Sequence, residues 1–269
     1  YRKIAPFILP YLKDRPESLN RQPNGIGAPG FYQKDMTGHI PRWLKTERVF
    51  SESADKSIDY VLCQDERSLL YLVNLGCIEI HPWFSRVGHL NNPDFLVIDL
   101  DPDGNDFDHV IDIAHEFHQI LDKIGAPNFC KTSGATGIHI GVPTGARYDF
   151  DAVRDFAESV CHVIAKKYPA TTSMERNPQR RRGKIYLDYM QNRRGQTLAA
   201  PFCIRPHPGA PVSMPLGWKE LRHGVKPEMF NIGNASRLIQ KHNAAWAGVL
   251  GAPLALSKCE QALRKRYKV

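Results

Sequence analysis

Phe95-Leu-Val-Ile-Asp-Leu-Asp-Pro-Asp103 is an apolar run that ends in acids. Side chains alternate faces along an extended strand, so residues two apart point the same way and Asp99 and Asp101 converge at the strand's end. Carboxylate oxygens are hard ligands for Mg²⁺ or Mn²⁺, and two ions on shared carboxylates can activate an attacking oxygen and steady a leaving one in phosphoryl chemistry. Taken alone, the pair is equally consistent with a capped strand end whose acids face water. Asp99-x-Asp101-x-Asp103-Gly104 also opens like an EF-hand loop, but the twelfth position, which should be glutamate, is Val110, and that reading is rejected. Asp103, Asp106 and Asp108 then read as turn formers and helix N-terminal charges.

Working outward, apolar periodicity predicts helices over Ile4 to Leu12, Glu66 to Asn74, Asp106 to Ile124 and about Asp151 to Lys167. Strands are expected at Cys77 to His81, Asn128 to Thr132, Ile138 to Val142 and Lys184 to Met190. Arg21 to Gly30 is turn-rich, and the tail after Trp218 reads as helical up to the basic Arg264 to Lys268. Strands and helices are mixed rather than strictly alternating, so the fold class is α+β.

The 269 residues are 42% hydrophobic and 24% charged, which suits a globular chain with a real core. No apolar run is long enough to span a bilayer and the N-terminus lacks a signal-peptide pattern, so a soluble, cytosolic protein is expected. Lysine and arginine exceed aspartate and glutamate by 36 − 28 = 8. With a sequence pI near 9.2, that excess favours a polyanionic partner. The six cysteines are scattered with no C-x-x-C, which suggests reduced, mostly buried thiols rather than a zinc knuckle or disulfide framework.

Several motifs carry two readings each. Ser133-Gly-Ala-Thr-Gly-Ile-His139 could present backbone N–H groups and an imidazole to phosphate oxygens, or be a glycine hairpin with a packed histidine; Lys131 just before it is equally open. Asp188 lies inside an apolar strand and needs a partner there, either a neighbouring arginine or a metal shared with Asp99 and Asp101. Arg176, Arg180, Arg181, Arg182, Lys184, Arg193 and Arg194 flank that strand, as a phosphate-binding face or a solvated one. Arg205 and His207, two apart in a Pro-rich segment, could grip a triphosphate if the segment is extended. Phe31-Tyr-Gln-Lys34 and His81-Pro-Trp83 could stack bases and contact phosphates, or belong to the core.

Together, Asn24-Gly25 with Phe31-Tyr-Gln-Lys34, His81-Pro-Trp83, Asp99-Leu-Asp101, Ser133-Gly-x-x-Gly-x-His139, Leu187-Asp-Tyr189 with Asn192-Arg-Arg-Gly195, and Ala200-Pro-Phe-x-x-Arg205 resemble one family in order and spacing. It is the polymerase domain of bacterial ATP-dependent DNA ligase D, in the archaeo-eukaryotic primase superfamily. The resemblance implies a single primase-polymerase domain over 1–269 with mixed and antiparallel sheets flanked by helices and an active site in a central cleft. It further implies template-directed nucleotidyl transfer, primer extension and gap filling in non-homologous end joining of double-strand breaks, with ribonucleotides preferred. Two Mn²⁺ or Mg²⁺ ions, Mn²⁺ favoured, are the implied cofactors. Implied partners are broken or gapped DNA, nucleoside triphosphates, Ku, and ligase and nuclease domains; the implied setting is the nucleoid.

Residue by residue, the resemblance makes Asp99, Asp101 and Asp188 the metal triad. It puts Ser133, His139, Arg205, His207 and His81 at the nucleotide, and Phe31, Tyr32, Lys34, Arg181, Arg182 and Arg194 on DNA. Phe31 and Tyr32 align with a pair that stacks at the templating base, and Arg181 with a loop that helps arrange the metals and the 3′ end. His207 stands where an arginine is usual, and Gln191 replaces a typical arginine. The chain opens inside what resembles the family's first long helix, so the N-terminal segment with lysines for a downstream 5′-phosphate is expected to be missing. A primase that starts chains de novo and a non-catalytic DNA-end-binding module are the competing expectations.

Overall fold

The computed structural model describes residues 1–38, 40–51 and 55–268. The first half runs α1 (Ala5–Leu12), β1 (Glu17–Arg21), β2 (Phe31–Gln33), β3 (Thr46–Ser51), β4 (Lys56–Val61), α2 (Glu66–Asn74), β5 (Cys77–Pro82), β6 (Phe95–Asp101) and α3 (Phe107–Lys123). The second half runs β7 (Phe129–Thr132), β8 (Ile138–Pro143), α4 (Phe150–Lys167), β9 (Thr172–Ser173), α5 (Pro178–Arg181), β10 (Ile185–Asp188), β11 (Pro215–Leu216), α6 (Ala235–His242) and α7 (Leu256–Tyr267).

The central sheet has the order β11-β7-β8-β6-β10-β9, antiparallel except for the β9–β10 pair. Helices α3 and α4 pack on β8 and β6 respectively. Helix α3 shows why: Val110, Ile113, Ala114, Phe117, Ile120 and Leu121 recur at helical spacing and are all buried, while Asp106 caps the N-terminus by accepting from Asp108 N. Asp149 does the same for α4, accepting from Ala152 N, so that helix starts at Phe150 rather than at Asp151 as expected. On the opposite sheet face, a Cβ at Gly141 would lie 2.7 Å from Trp246. Trp246 belongs to the 3₁₀ segment Asn243–Leu250, which therefore covers the far end of the face that carries Asp99 and His139.

A second sheet, β2-β1-β5, faces the first, and β3–β4 forms a separate hairpin. Buried Arg15 fastens the connection: it donates to Trp83 O at 3.1 Å and Phe84 O at 2.7 Å, and pairs with Asp94 just before β6. A buried guanidinium is tolerable only with such partners.

The α+β expectation holds, and all six cysteines are free and buried. Two further local expectations change. Strand β10 is shorter than Lys184 to Met190, because past Asp188 the Asn192 side chain takes over the ladder. Its Oδ1 accepts from Val97 N at 2.8 Å and its Nδ2 donates to Val97 O at 2.7 Å. The tail after Trp218 is only partly α-helical, with 3₁₀ turns at Pro227–Met229 and Asn243–Leu250. Of the two readings left open for Trp83, the core one holds: it is 2% exposed in a cluster with Val49, Ile58 and Tyr60 beneath the hairpin.

Candidate active site

The sheet register sets a polar row across four strands, with Lys131 opposite His139, His139 opposite Asp99, and Asp99 opposite Asp188. Lys131 Nζ lies 2.7 Å from His139 Nδ1, and His139 Nε2 lies 3.4 Å from Asp99 Oδ1. Asp101 follows on the same face, opposite Tyr186. Asp188 is held by Met190 N at 2.8 Å, Gln191 Nε2 at 3.0 Å and Tyr186 Oη at 3.3 Å. Its partners are thus a backbone amide, an amide side chain and a phenol. The nearby arginine, Arg181, instead donates to Asp101 Oδ2 at 3.1 Å and stacks on the Tyr186 ring.

Crowding acids in a half-dry cleft has an electrostatic signature. Burial, then Asp188 and Asp101, push the Asp99 carboxyl up to about 8, against the pull of Lys131 and Arg205. Burial also raises Asp188, opposed by its hydrogen bonds. Burial, helped by Arg205, lowers Lys131 to about 7. Burial and Lys131 hold His139 well below the ordinary imidazole value. Three hard oxygen donors, of which Asp101 is paired with Arg181, match the chemistry of Mg²⁺ or Mn²⁺. Among the described residues, however, no three His, Cys, Asp or Glu side chains stand in a ready-made metal arrangement, consistent with Arg181 leaning on Asp101.

The loop after β7 supplies a wall. Ser133 Oγ accepts from Ala135 N at 3.1 Å and Gly137 N at 2.9 Å, so the hydroxyl stitches its own turn. Arg205 donates to Ser133 O at 2.7 Å. Gly134 is required here: its φ is +78° and a Cβ would fall 2.7 Å from both Arg205 Cγ and Ser213 N.

Opposite this loop, β5 presents Glu79 and His81. Glu79 Oε1 sits 2.6 Å from Arg205 Nε and 2.8 Å from His81 Nε2, while Oε2 accepts from Asn20 Nδ2 at 2.9 Å. Burial drives the Glu79 carboxyl up, but His81, Arg205 and Asn20 together bring it below its ordinary value. The Tyr32 ring meets His81 edge-on at 5.5 Å.

The structure thus brings Asp99, Asp101, Asp188, Ser133, His139, Arg205, His81, Tyr32 and Arg181 into one contiguous cluster. Phe31 is exposed beside Tyr32, under Arg21. His207 does not join Arg205: its backbone N donates to Arg205 O, so the segment bends and His207 is exposed. Arg182 is likewise exposed, in a left-handed turn. Lys34 and Arg194 line a separate groove of about 370 Å³ with Phe50, Tyr60, Trp83 and Arg193. Glu79 and Asn20 escaped the sequence reading. The signal for Glu79 was present, an acid inside the apolar strand Cys77 to His81, as Asp188 is in its own strand.

A sequence model described as the LigD primase-polymerase domain matches residues 1–246. The chain belongs to this family. Relatives of this LigD-type domain include the multifunctional non-homologous end joining protein LigD of Pseudomonas aeruginosa, 34% identical over 227 residues, covering 82% of this chain and 26% of that protein. The bifunctional LigD of Bacillus subtilis is 29% identical over 241 residues, covering 89% of this chain and 38% of that one. The chain therefore spans only about a quarter to two-fifths of these relatives. The polymerase domain of Mycobacterium tuberculosis ligase D, solved in complex with DNA, superposes with a TM-score of 0.86 over 94% of this chain and 91% of that one, at 22% identity. It shares the LigD polymerase fold, including the α+β arrangement found here.

Proposed function

We propose that this LigD-type domain is a template-directed nucleotidyltransferase that extends 3′ ends, with ribonucleotides preferred, during non-homologous end joining of double-strand breaks. The observation that carries the reading is that Asp99, Asp101 and Asp188 lie on neighbouring strands within electrostatic reach of Arg205, which is bonded to the Ser133 loop. Two Mn²⁺ or Mg²⁺ ions on those carboxylates would supply Lewis acidity at the 3′-hydroxyl and charge neutralisation at the leaving pyrophosphate.

The protein's own groups do the rest. Arg205 offers a planar fork for phosphate oxygens, and the turn from Ser133 to Gly137, closed on itself by the Ser133 hydroxyl, forms the wall beside it. His139, kept neutral by burial and Lys131, can hydrogen-bond without adding charge. Tyr32 and Phe31, 59% and 46% exposed, offer aromatic faces that stack any base. The groove with Lys34, Phe50, Arg193 and Arg194 combines cations with an exposed aromatic ring in the manner of a single-strand path. Broken or gapped DNA and nucleoside triphosphates are accordingly the proposed substrates, with Ku and attached ligase and nuclease domains as partners. Among the described residues no helix is long and apolar enough to cross a membrane.

The test is primer extension on a gapped duplex with ribonucleotides or deoxynucleotides in Mn²⁺ and in Mg²⁺. Extension of the primer, faster with ribonucleotides and Mn²⁺, is expected. Product formed only on unprimed template would replace this reading by a de novo primase; DNA-end binding without synthesis would replace it by an end-binding module.

A further inference from the structure

Glu79 is a carboxylate that the chemistry above leaves unused. It is 1% exposed, and a charge buried to that degree persists only where other groups compensate it. Arg205 Nε at 2.6 Å, His81 Nε2 at 2.8 Å and Asn20 Nδ2 at 2.9 Å close on its two oxygens. The arrangement is built into the fold. The β1–β5 register sets Asn20 beside Glu79. One residue further along β5, Ile80 O accepts from Ala200 N at 3.0 Å and Ile80 N donates to Cys203 Sγ at 3.1 Å, so the segment carrying Arg205 is stitched to the same strand.

Arginine's donors lie in a rigid plane, so fixing two of them fixes the third. Arg205 donates from Nη1 to the Ser133 carbonyl at 2.7 Å, and its Nε lies at ion-pair distance from Glu79 without the geometry of a hydrogen bond, so Glu79 holds the guanidinium by charge. The same Glu79 oxygen meets His81, whose ring faces Tyr32. With Asn20 donating to one oxygen and Arg205 and His81 crowding the other at ion-pair distance, Glu79 is poorly placed to act as a metal ligand.

We propose that Glu79 is a positioning residue for nucleotide recognition, locking the Arg205 guanidinium and the His81 imidazole in the orientation that receives a nucleoside triphosphate. The inference rests on the polymerase reading. It adds that affinity for the triphosphate is set by a carboxylate which never touches it.

The experiment measures nucleoside triphosphate affinity in Mn²⁺ by calorimetry, with KM and kcat from primer extension, for the wild type, Glu79→Gln, Arg205→Lys and the double variant. Losing a charged buried partner should raise Kd and KM in Glu79→Gln by about ten- to a hundredfold. Expected alongside are a smaller change in kcat, unchanged DNA affinity, and a double variant little worse than Arg205→Lys alone. An unaltered KM, or fully additive losses in the double variant, would overturn the proposal. Should Glu79→Gln fail to fold, Glu79→Asp keeps the charge but withdraws it from Arg205 Nε, and a wild-type KM there overturns the proposal equally. A wild type that binds no triphosphate and extends no primer defeats the polymerase reading and this inference with it; a wild type that extends primers beside an unchanged Glu79→Gln defeats this inference alone.

Discussion

Asp99 on β6 and Asp188 on β10 face each other directly across an antiparallel ladder, with His139 flanking Asp99 on its other side. Like charges directly opposite in a sheet destabilise it. The pair therefore marks a place where the fold gives up stability for a charge-demanding task.

That relationship sets a pH prediction for the metal-free protein. The Asp99 carboxyl, raised to about 8 chiefly by burial, binds its proton more tightly folded than unfolded. Its contribution to stability is complete below the unfolded carboxylate value and is lost as pH rises through about 8. In excess chelator, the melting temperature of the wild type should fall across that window more than that of Asp99→Asn, and added Mn²⁺ should narrow the difference. Parallel pH profiles for the two proteins would refute the assignment.

Gly134 offers a test of the triphosphate wall. Alanine there would adopt a left-handed backbone and press on Arg205 Cγ and on the Ser213 backbone, both 2.7 Å away. Gly134→Ala should cost about 1–3 kcal/mol of stability by denaturant melting, and should weaken nucleotide binding through the displaced Arg205. Wild-type stability and affinity together would show that the loop is not held as described.

Trp83 and Arg194 separate core from surface in the groove beside the hairpin. Trp83→Ala removes a buried ring from the Val49, Ile58 and Tyr60 cluster and should destabilise by about 3–5 kcal/mol. Arg194→Ala should leave the melt nearly unchanged, weaken DNA binding for all sequences alike and reduce the salt slope by about one unit. An unchanged salt slope would remove Arg194 from the DNA path.

Much of this was legible in the chain. Helix α2 falls at Glu66–Asn74 as periodicity implies, because Asp65 and Ser68 form a capping box that fixes its start. Strand β6 and its two acids were readable from alternation, and the ordered motifs pointed to the LigD family. What was hidden depends on pairing between distant segments. β1 carries no clean alternation, since all but its last residue are buried, and it becomes a strand only by lying between β2 and β5. Arg205 with His207 looked like a matched pair, yet the backbone bond from His207 N to Arg205 O turns the second away. Glu79 acquires meaning only when the Arg205 segment packs on β5.

In the proposed function Asp99, Asp101 and Asp188 together hold one metal site. Mn²⁺ binding followed by electron paramagnetic resonance, in the presence of a nucleoside triphosphate, tests it most directly on the wild type, Asp99→Asn, Asp101→Asn and Asp188→Asn. Each substitution should weaken protein-bound Mn²⁺ and lower primer extension by at least about a hundredfold while the protein stays folded. Full Mn²⁺ binding and activity in any one of the three variants would contradict the shared site.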